Sequence, residues 1–292
     1  MMPIGASSNK RSQFRLVGPQ KKSDARITAV RGDLADIAIA GDFFAPHYAT
    51  AKLYSCIAPS ATISASPDEE AVSQLLYGEA FAVLDIAGNH AWGYCASDNY
   101  VGYIAADALG DAVKTTHQID TRGALIFAEP SIKSPIVMRL PMGAQITAQD
   151  CEHENFMQTE GGFVHKRHAS PVGKAQADSA DLARKLMGAP YLWGGRSGDG
   201  LDCSGLVQMV LGLQGIEAPR DSDQQQVLGQ EVADNAPLLR NDIIFFPGHV
   251  GIMGDDKNLI HANAHWMQVV EEPLDDVVAR IEDGGITARR RL

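Results

Sequence analysis

The stretch Tyr191–Val210, YLWGGRSGDGLDCSGLVQMV, constrains this chain more than any other. Gly194, Gly195, Gly198 and Gly200 break any regular element and let the backbone turn tightly. From Asp202 onward the pattern changes, and Leu206, Val207, Val210 and Leu211 recur at helical spacing. The spacing predicts a helix that begins near Cys203 and ends by Gly212 or Gly215. A cysteine in the first helical turn faces unpaired backbone N–H groups and the positive end of the helix dipole. Both favour the thiolate, which is the nucleophilic form. The competing reading is a half-buried structural cysteine after a glycine-rich loop.

A second region bears on that choice. The apolar run Asp242–Phe246 continues through Gly248, His249 and Val250 to Met253, meets the turn GDDKN, and resumes at Leu259, Ile260 and His261. Two apolar runs around such a turn predict a β-hairpin. A turn centred on Asp255 sets His249 directly opposite His261, at roughly 5 Å between Cβ atoms. One histidine then acts as base toward Cys203 while the other orients it, the logic of a nucleophile–base–orienter triad.

The motifs YLWGG-x6-DCSGL, PRDS, DIIFF-x2-HVGIM and LIHA, in that order, resemble the NlpC/P60 cysteine peptidases, which cut cell-wall peptides on an α+β papain-like fold. The resemblance implies Cys203 as nucleophile, His249 as base, His261 as orienting residue and Tyr191 as a hydroxyl donor to the oxyanion. It extends to the subgroup with two small all-β bacterial SH3-like barrels ahead of the peptidase domain. Members of that subgroup are γ-D-glutamyl-L-diamino acid endopeptidases acting on peptides with a free N-terminal L-alanine.

Internal echoes support the two barrels. LYSCIAPS (Leu53–Ser60) resembles LIFAEPS (Leu125–Ser131), Ser73–Asp85 resembles Met138–Asp150, and Asn99–Ile104 resembles Glu160–Val164. Short β-prone runs between turn residues suggest small antiparallel barrels. The expected organisation is an N-terminal extension over 1–51, a first SH3-like domain over 52–115, a second over 116–170 and the peptidase over 171–292. A helical pattern over Asp178–Met187 opens the last of these.

Pairing Gly78 with Gly143 sets Glu79 against Ala144, and pairing Gly102 with Gly162 sets Tyr100 against Glu160. The first copy therefore carries an acid and a phenol that the barrel itself does not require. The subgroup resemblance assigns Glu79 and Tyr100 to the substrate ammonium, against the plain reading of a solvated turn residue and a surface aromatic. The same resemblance gives Arg220 and Ser222, with Asp221 nearby, the free α-carboxylate of the γ-linked D-glutamate. A forked guanidinium and a hydroxyl suit that anion. Asp221 or Ser222 also reads as a helix N-cap. Asp202 and Ser204, flanking the nucleophile, have both a capping and a substrate-facing reading.

The rest of the chain sets bounds. A net charge of −11 argues against nucleic acid as a partner. Cys56, Cys95, Cys151 and Cys203 form no CxxC pair, so no metal, cofactor or disulfide framework is expected. Residues 1–20 contain Lys10, Arg11 and Arg15 without the apolar core of a secretory signal, and no run is long enough to span a membrane. The segment reads as disordered to about Ser23, or as a basic arm on an acidic body. Arg289, Arg290 and Arg291 read as a solvated tail. A cytoplasmic location is expected. The resulting expectation is a thiol peptidase for murein peptides, with no membrane partner and a place in cell-wall peptide recycling. An amidase or acyltransferase of the same fold, or a non-catalytic wall-binding protein, are the alternatives.

Overall fold

The computed structural model of the chain describes residues 23–67, 69–281 and 285–292; the expected disorder of the first 22 residues lies outside them. Residues 23–51 form a supporting element on the first barrel. Leu34–Asp36 pairs in parallel with His47–Ala49. Ala29, Leu34 and Ala49 pack with Leu84 and Trp92 of the next domain. Asp36 caps the 3-10 turn that follows it, accepting from Ala38 N at 2.9 Å, and also accepts from the Tyr94 hydroxyl at 2.8 Å.

The first barrel is a seven-stranded sheet in the order Ala71–Leu76, Ser60–Ser64, Val101–Ala105, His90–Cys95, Ala80–Ala87, Lys52–Cys56, Leu109–Asp111. Ile63, Leu75, Phe81 and Ile104 fill its interior. Strands from Ile136–Pro141 through Gly123–Phe127, Gly162–His165 and Phe156–Thr159 to Ala148–Asp150 repeat that order. A three-stranded sheet of Gln145–Ile146, His117–Ile119 and Ala169–Pro171 completes the second copy.

Ile63 pairs with Ile104 in one copy and Ile126 with Val164 in the other, and each pair touches a glycine, Gly102 or Gly162, that a Cβ would drive into the neighbouring strand. Gly78 and Gly143 both have positive φ. The echo between Leu53–Ser60 and Leu125–Ser131 does not hold. Gly123–Phe127 takes the place of Ser60–Ser64, and His117–Ile119 takes that of Lys52–Cys56.

In the catalytic domain, helix α1 (Ser179–Arg184) is capped by Asp178, and α2 (Cys203–Leu213) lies against an antiparallel sheet. The sheet order is Gln230–Glu231, Ala288–Arg291, Ile243–Phe246, His249–Met253, Asn258–Asn263, Gln268–Pro273. Leu206, Val207, Val210 and Leu211 of α2 are all 0 % exposed and meet Phe245, Val250, Ile252 and Ile260. Each such side chain contributes about 1.5–3 kcal/mol on burial, so α2 is anchored far more firmly than its length alone would give. Two short helices, α3 (Ser222–Gln225) and α4 (Leu274–Arg280), complete the domain. The terminal arginines form an inner strand of the sheet instead of a tail, and Arg291 is paired at 2.7 Å with the fully buried Asp242. No helix among the described residues is long and apolar enough to cross a membrane.

Candidate active site

The glycine loop and the helix start are locked together. Asp202 is the N-cap of α2, accepting from Gly205 N at 2.7 Å through one oxygen and from Gly194 N at 2.9 Å through the other. Gly205 lies so close to Gly195 O that a Cβ there would sit 2.2 Å from it. Any larger residue at Gly205 would displace the loop. The result is Cys203 at the first position of α2, 7 % exposed.

Three polar residues run diagonally across one face of three adjacent strands. Ile252 pairs with Ile260 and Met253 with Leu259. Continuing that register puts His261 across from Gly251, so the two histidines are diagonal neighbours and the turn is centred one residue later than the sequence suggested. Their rings still meet, with centroids 5.0 Å apart and His249 Nε2 2.7 Å from His261 Nδ1. His261 pairs with Val270, which makes Glu272 the next diagonal neighbour on the same face. Its Oε1 lies 2.8 Å from His261 Nε2. Arg280 donates to both Glu272 oxygens, and Trp266 Nε1 donates to Oε2 at 3.2 Å.

These contacts fix the tautomers. Burial works to raise Glu272, but hydrogen bonds from Arg280, His261 and Trp266 outweigh it and bring the carboxyl down to about 2. An ionised Glu272 accepts from His261 Nε2–H, so His261 Nδ1 accepts from His249 Nε2–H, and the Nδ1 lone pair of His249 is left able to accept a proton. Glu272 was absent from the sequence reading. The signal for it was the strand VVEEP following the His261 strand, where alternation brings one acid onto the histidine face.

The expectation of a thiolate in the resting site is not met. Burial pushes the Cys203 thiol up to about 11, reinforced by the Asp202 charge and opposed by the N–H groups of Val250 and Ser204. Burial also brings His249 down to about 3, with His261 and Arg280 acting in the same direction. His261 is lowered by burial against the pull of Glu272. The helix dipole is thus outweighed by desolvation, and the closed site holds a neutral thiol beside a neutral imidazole. Val250, whose N–H points at the sulfur, directly follows His249, so proton transfer between the two can accompany attack on a carbonyl. Tyr191, half-buried, is raised to about 12 by burial and by the nearby Cys203 and Asp202, and keeps its proton as a donor.

Beyond Cys203 extends a cleft of about 330 Å³ lined by Val72, Tyr100, Trp193, Ser204, Ser222 and Gly248. Asp202 and Asp221 border it, as do Arg26 and Asp223. Tyr100, from the first barrel, donates to Asp221 Oδ2 at 3.2 Å, which joins two domains at the end of the cleft. Asp221 stands at the N-cap position of α3 but makes no capping bond; its carboxylate serves Tyr100 and Arg26 instead. Ser222 is the first residue of α3.

Two residues assigned to substrate are placed elsewhere. Glu79 is closed by the buried Arg196, Nη1 to Oε2 at 2.9 Å and Nη2 to Oε1 at 3.0 Å, and also accepts from Leu76 N at 2.8 Å. It lines a separate cavity where the two barrels meet α2. Arg196 also donates to Gln74 O at 2.7 Å, so this ion pair ties the first barrel to the glycine loop. Arg220, 1 % exposed, is likewise an internal bridge. Its Nε donates to Ser73 Oγ at 3.1 Å, Nη1 to Asp202 Oδ1 at 3.0 Å and to Ser204 Oγ at 2.9 Å, and Nη2 to Asp202 Oδ2. With all three nitrogens engaged, it braces the N-cap of α2 and has no free edge for a carboxylate. Ser204, held by Arg220 and Asp202, shares that brace.

A cysteine at a buried helix start, a histidine–histidine–carboxylate line on the facing sheet and a phenol near the sulfur are the parts a thiol hydrolase needs. Residues 188–280 match the NlpC/P60 family, and residues 63–109 match the bacterial dipeptidyl-peptidase SH3 domain. The chain thus carries an NlpC/P60 peptidase domain with a bacterial SH3 domain ahead of it. It is 27 % identical over 247 residues to dipeptidyl-peptidase 6 of Lysinibacillus sphaericus, covering 75 % of this chain and 91 % of that one. To the γ-D-glutamyl-L-lysine dipeptidyl-peptidase of Bacillus cereus it is 34 % identical over 113 residues, 36 % of this chain and 33 % of that relative. The crystal structure of an NlpC/P60 family protein from Bacillus cereus superposes with a TM-score of 0.70 at 19 % identity, over 82 % of this chain and 99 % of that one, and so shares the fold.

Proposed function

We propose that this protein hydrolyses the γ-D-glutamyl-L-diamino acid bond of murein peptides that begin with a free L-alanine. The observation carrying the proposal is the cleft itself. Cys203 stands at one end, and the other is shut by the first barrel, with Tyr100 and Asp221 converging there from separate domains. Such a cleft suits a short peptide bearing a terminal ammonium and disfavours a polymer. In this reading Asp221 and Tyr100 hold the ammonium, the role the subgroup resemblance assigns to Glu79 and Tyr100. Ser222, in the wall between, meets the α-carboxylate of D-glutamate. The name of the Bacillus cereus relative, a γ-D-glutamyl-L-lysine dipeptidyl-peptidase, supports this bond as the target.

The chemistry follows from the site. The Cys203 sulfur attacks the γ-carbonyl carbon as its proton passes to His249 Nδ1. Positive charge that forms on His249 is shared with His261 and balanced by Glu272. Tyr191 donates to the oxyanion. Collapse expels the amine of the diamino acid, which takes the proton from His249 and leaves a thioester of L-Ala-γ-D-Glu. A water deprotonated by His249 then hydrolyses the thioester. A role in recycling soluble wall peptides in the cytoplasm belongs to the same proposal. Synthetic L-Ala-γ-D-Glu-diamino acid peptides, free and N-acetylated, test it by product mass. The free peptides should be cut after D-glutamate and the acetylated ones poorly; equal rates would remove the ammonium site from the proposal.

A further inference from the structure

The acidic end of the cleft already holds a cation supplied by the protein. Arg26 Nη1 donates to Asp221 Oδ2 at 2.8 Å and to Asp223 Oδ1 at 2.9 Å. Its Nη2 donates to Asp223 Oδ2 at 2.8 Å and to Asp24 Oδ2 at 2.6 Å, and Nε to Asp24 Oδ1 at 3.0 Å. The segment is pinned on both sides. Arg26 O accepts from Val101 N of the first barrel at 2.7 Å, and Asp24 accepts from Gln224 of α3 at 2.9 Å. Arg26 lines the same cleft as Cys203, and its side chain is 37 % exposed.

We infer that Arg26 is the residue that fixes how much peptide can precede the scissile bond, an inference that rests on the substrate proposed above. Arg26 and Tyr100 share Asp221 Oδ2, while Oδ1 lies 3.5 Å from the Tyr100 hydroxyl and makes no closer contact with it. Asp221 therefore presents one oxygen to one ammonium. A peptide longer by one residue at its N-terminus would carry its ammonium into the guanidinium. The guanidinium, with its N–H groups turned to Asp24, Asp221 and Asp223, offers that ammonium no acceptor and occupies the place the added residue would take. A lysine cannot reproduce this wall, because a single ammonium does not fork across three carboxylates. The N-terminal segment thus does more than cover the first barrel: it closes the end of the cleft to longer peptides.

The test compares kcat/KM for L-Ala-γ-D-Glu-L-Lys and Gly-L-Ala-γ-D-Glu-L-Lys in the full-length wild type, Arg26→Ala and Arg26→Lys, with thermal melts and Cys203 alkylation rates as checks on the fold. The wild type should favour the short peptide by about 100-fold. Arg26→Ala should bring that preference to within about tenfold, chiefly by improving use of the long peptide, and Arg26→Lys should fall between. Full preference retained in a folded Arg26→Ala protein would overturn the inference and leave the substrate proposal intact. A wild type that cuts neither peptide would remove both.

Discussion

Replacing Glu272 with glutamine should slow turnover without weakening substrate binding. The carboxylate touches His261 Nε2 at 2.8 Å and is 12 % exposed, so its charge acts through little solvent. Glutamine keeps the shape and one acceptor oxygen but removes the negative charge that balances the imidazolium formed when His249 takes the thiol proton. Hydrogen bonds to charged groups contribute about 1.5–3 kcal/mol, which corresponds to roughly 10- to 150-fold in kcat. Arg280, freed of its ionic partner, is 29 % exposed and can turn to water, so the fold should survive. Because Glu272 does not line the cleft, KM should stay within about twofold. Initial rates of diamino acid release across a substrate series separate the two constants. An unchanged kcat, or a raised KM at constant kcat, would refute the role given to the carboxylate.

Other consequences are as direct. His249 sits at about 3 in the fold against an ordinary 6.5, so between those pH values the unfolded chain binds the additional proton. Stability present above pH 6.5 should therefore drain away as pH falls toward 3, at about 1.4 kcal/mol per pH unit from this residue, and His249→Gln should flatten that limb in urea melts. Glu79→Ala strands the buried Arg196 and should cost about 3–5 kcal/mol of stability, while the ratio of rates on free and acetylated peptides stays put; a changed ratio would return Glu79 to the ammonium site. Tyr191→Phe should lower kcat by about 10- to 100-fold with little change in KM, and an unaffected kcat would assign the oxyanion to main-chain donors alone.

What the sequence disclosed, and what it hid, follows from the range of the interactions. Helix α2 was readable because its apolar spacing and the glycine loop before it are local, and so was the histidine hairpin. Its register was one residue off, since the GDDKN turn admits two centres and only side-chain packing chooses between them. The repeat was readable where glycine marks a strand crossing, at Gly102 and Gly162, and misleading where resemblance rested on apolar composition in Leu53–Ser60 and Leu125–Ser131. The charged residues were hardest. Glu79 and Arg220 looked free for a substrate, but their partners Arg196 and Asp202 lie 117 and 18 residues away in sequence. Arg26 and Asp221, 195 residues apart, meet only once two domains are assembled. Asp202, just ahead of the predicted helix, had a capping reading that the structure bears out, with Arg220 added behind it.

The central claim, that the Cys203 sulfur carries the L-Ala-γ-D-Glu acyl group during turnover, can be tested on the protein itself. Cys56 and Cys95 are buried in the first barrel and pushed upward by desolvation, Cys56 to about 12, so neither competes as a nucleophile. Acid quenching during turnover of L-Ala-γ-D-Glu-L-Lys, followed by peptide mass spectrometry, should find the acyl mass on the peptide that contains Cys203, and should find none in His249→Ala. Turnover with no adduct at Cys203 and undiminished activity in Cys203→Ala would contradict the account at its root.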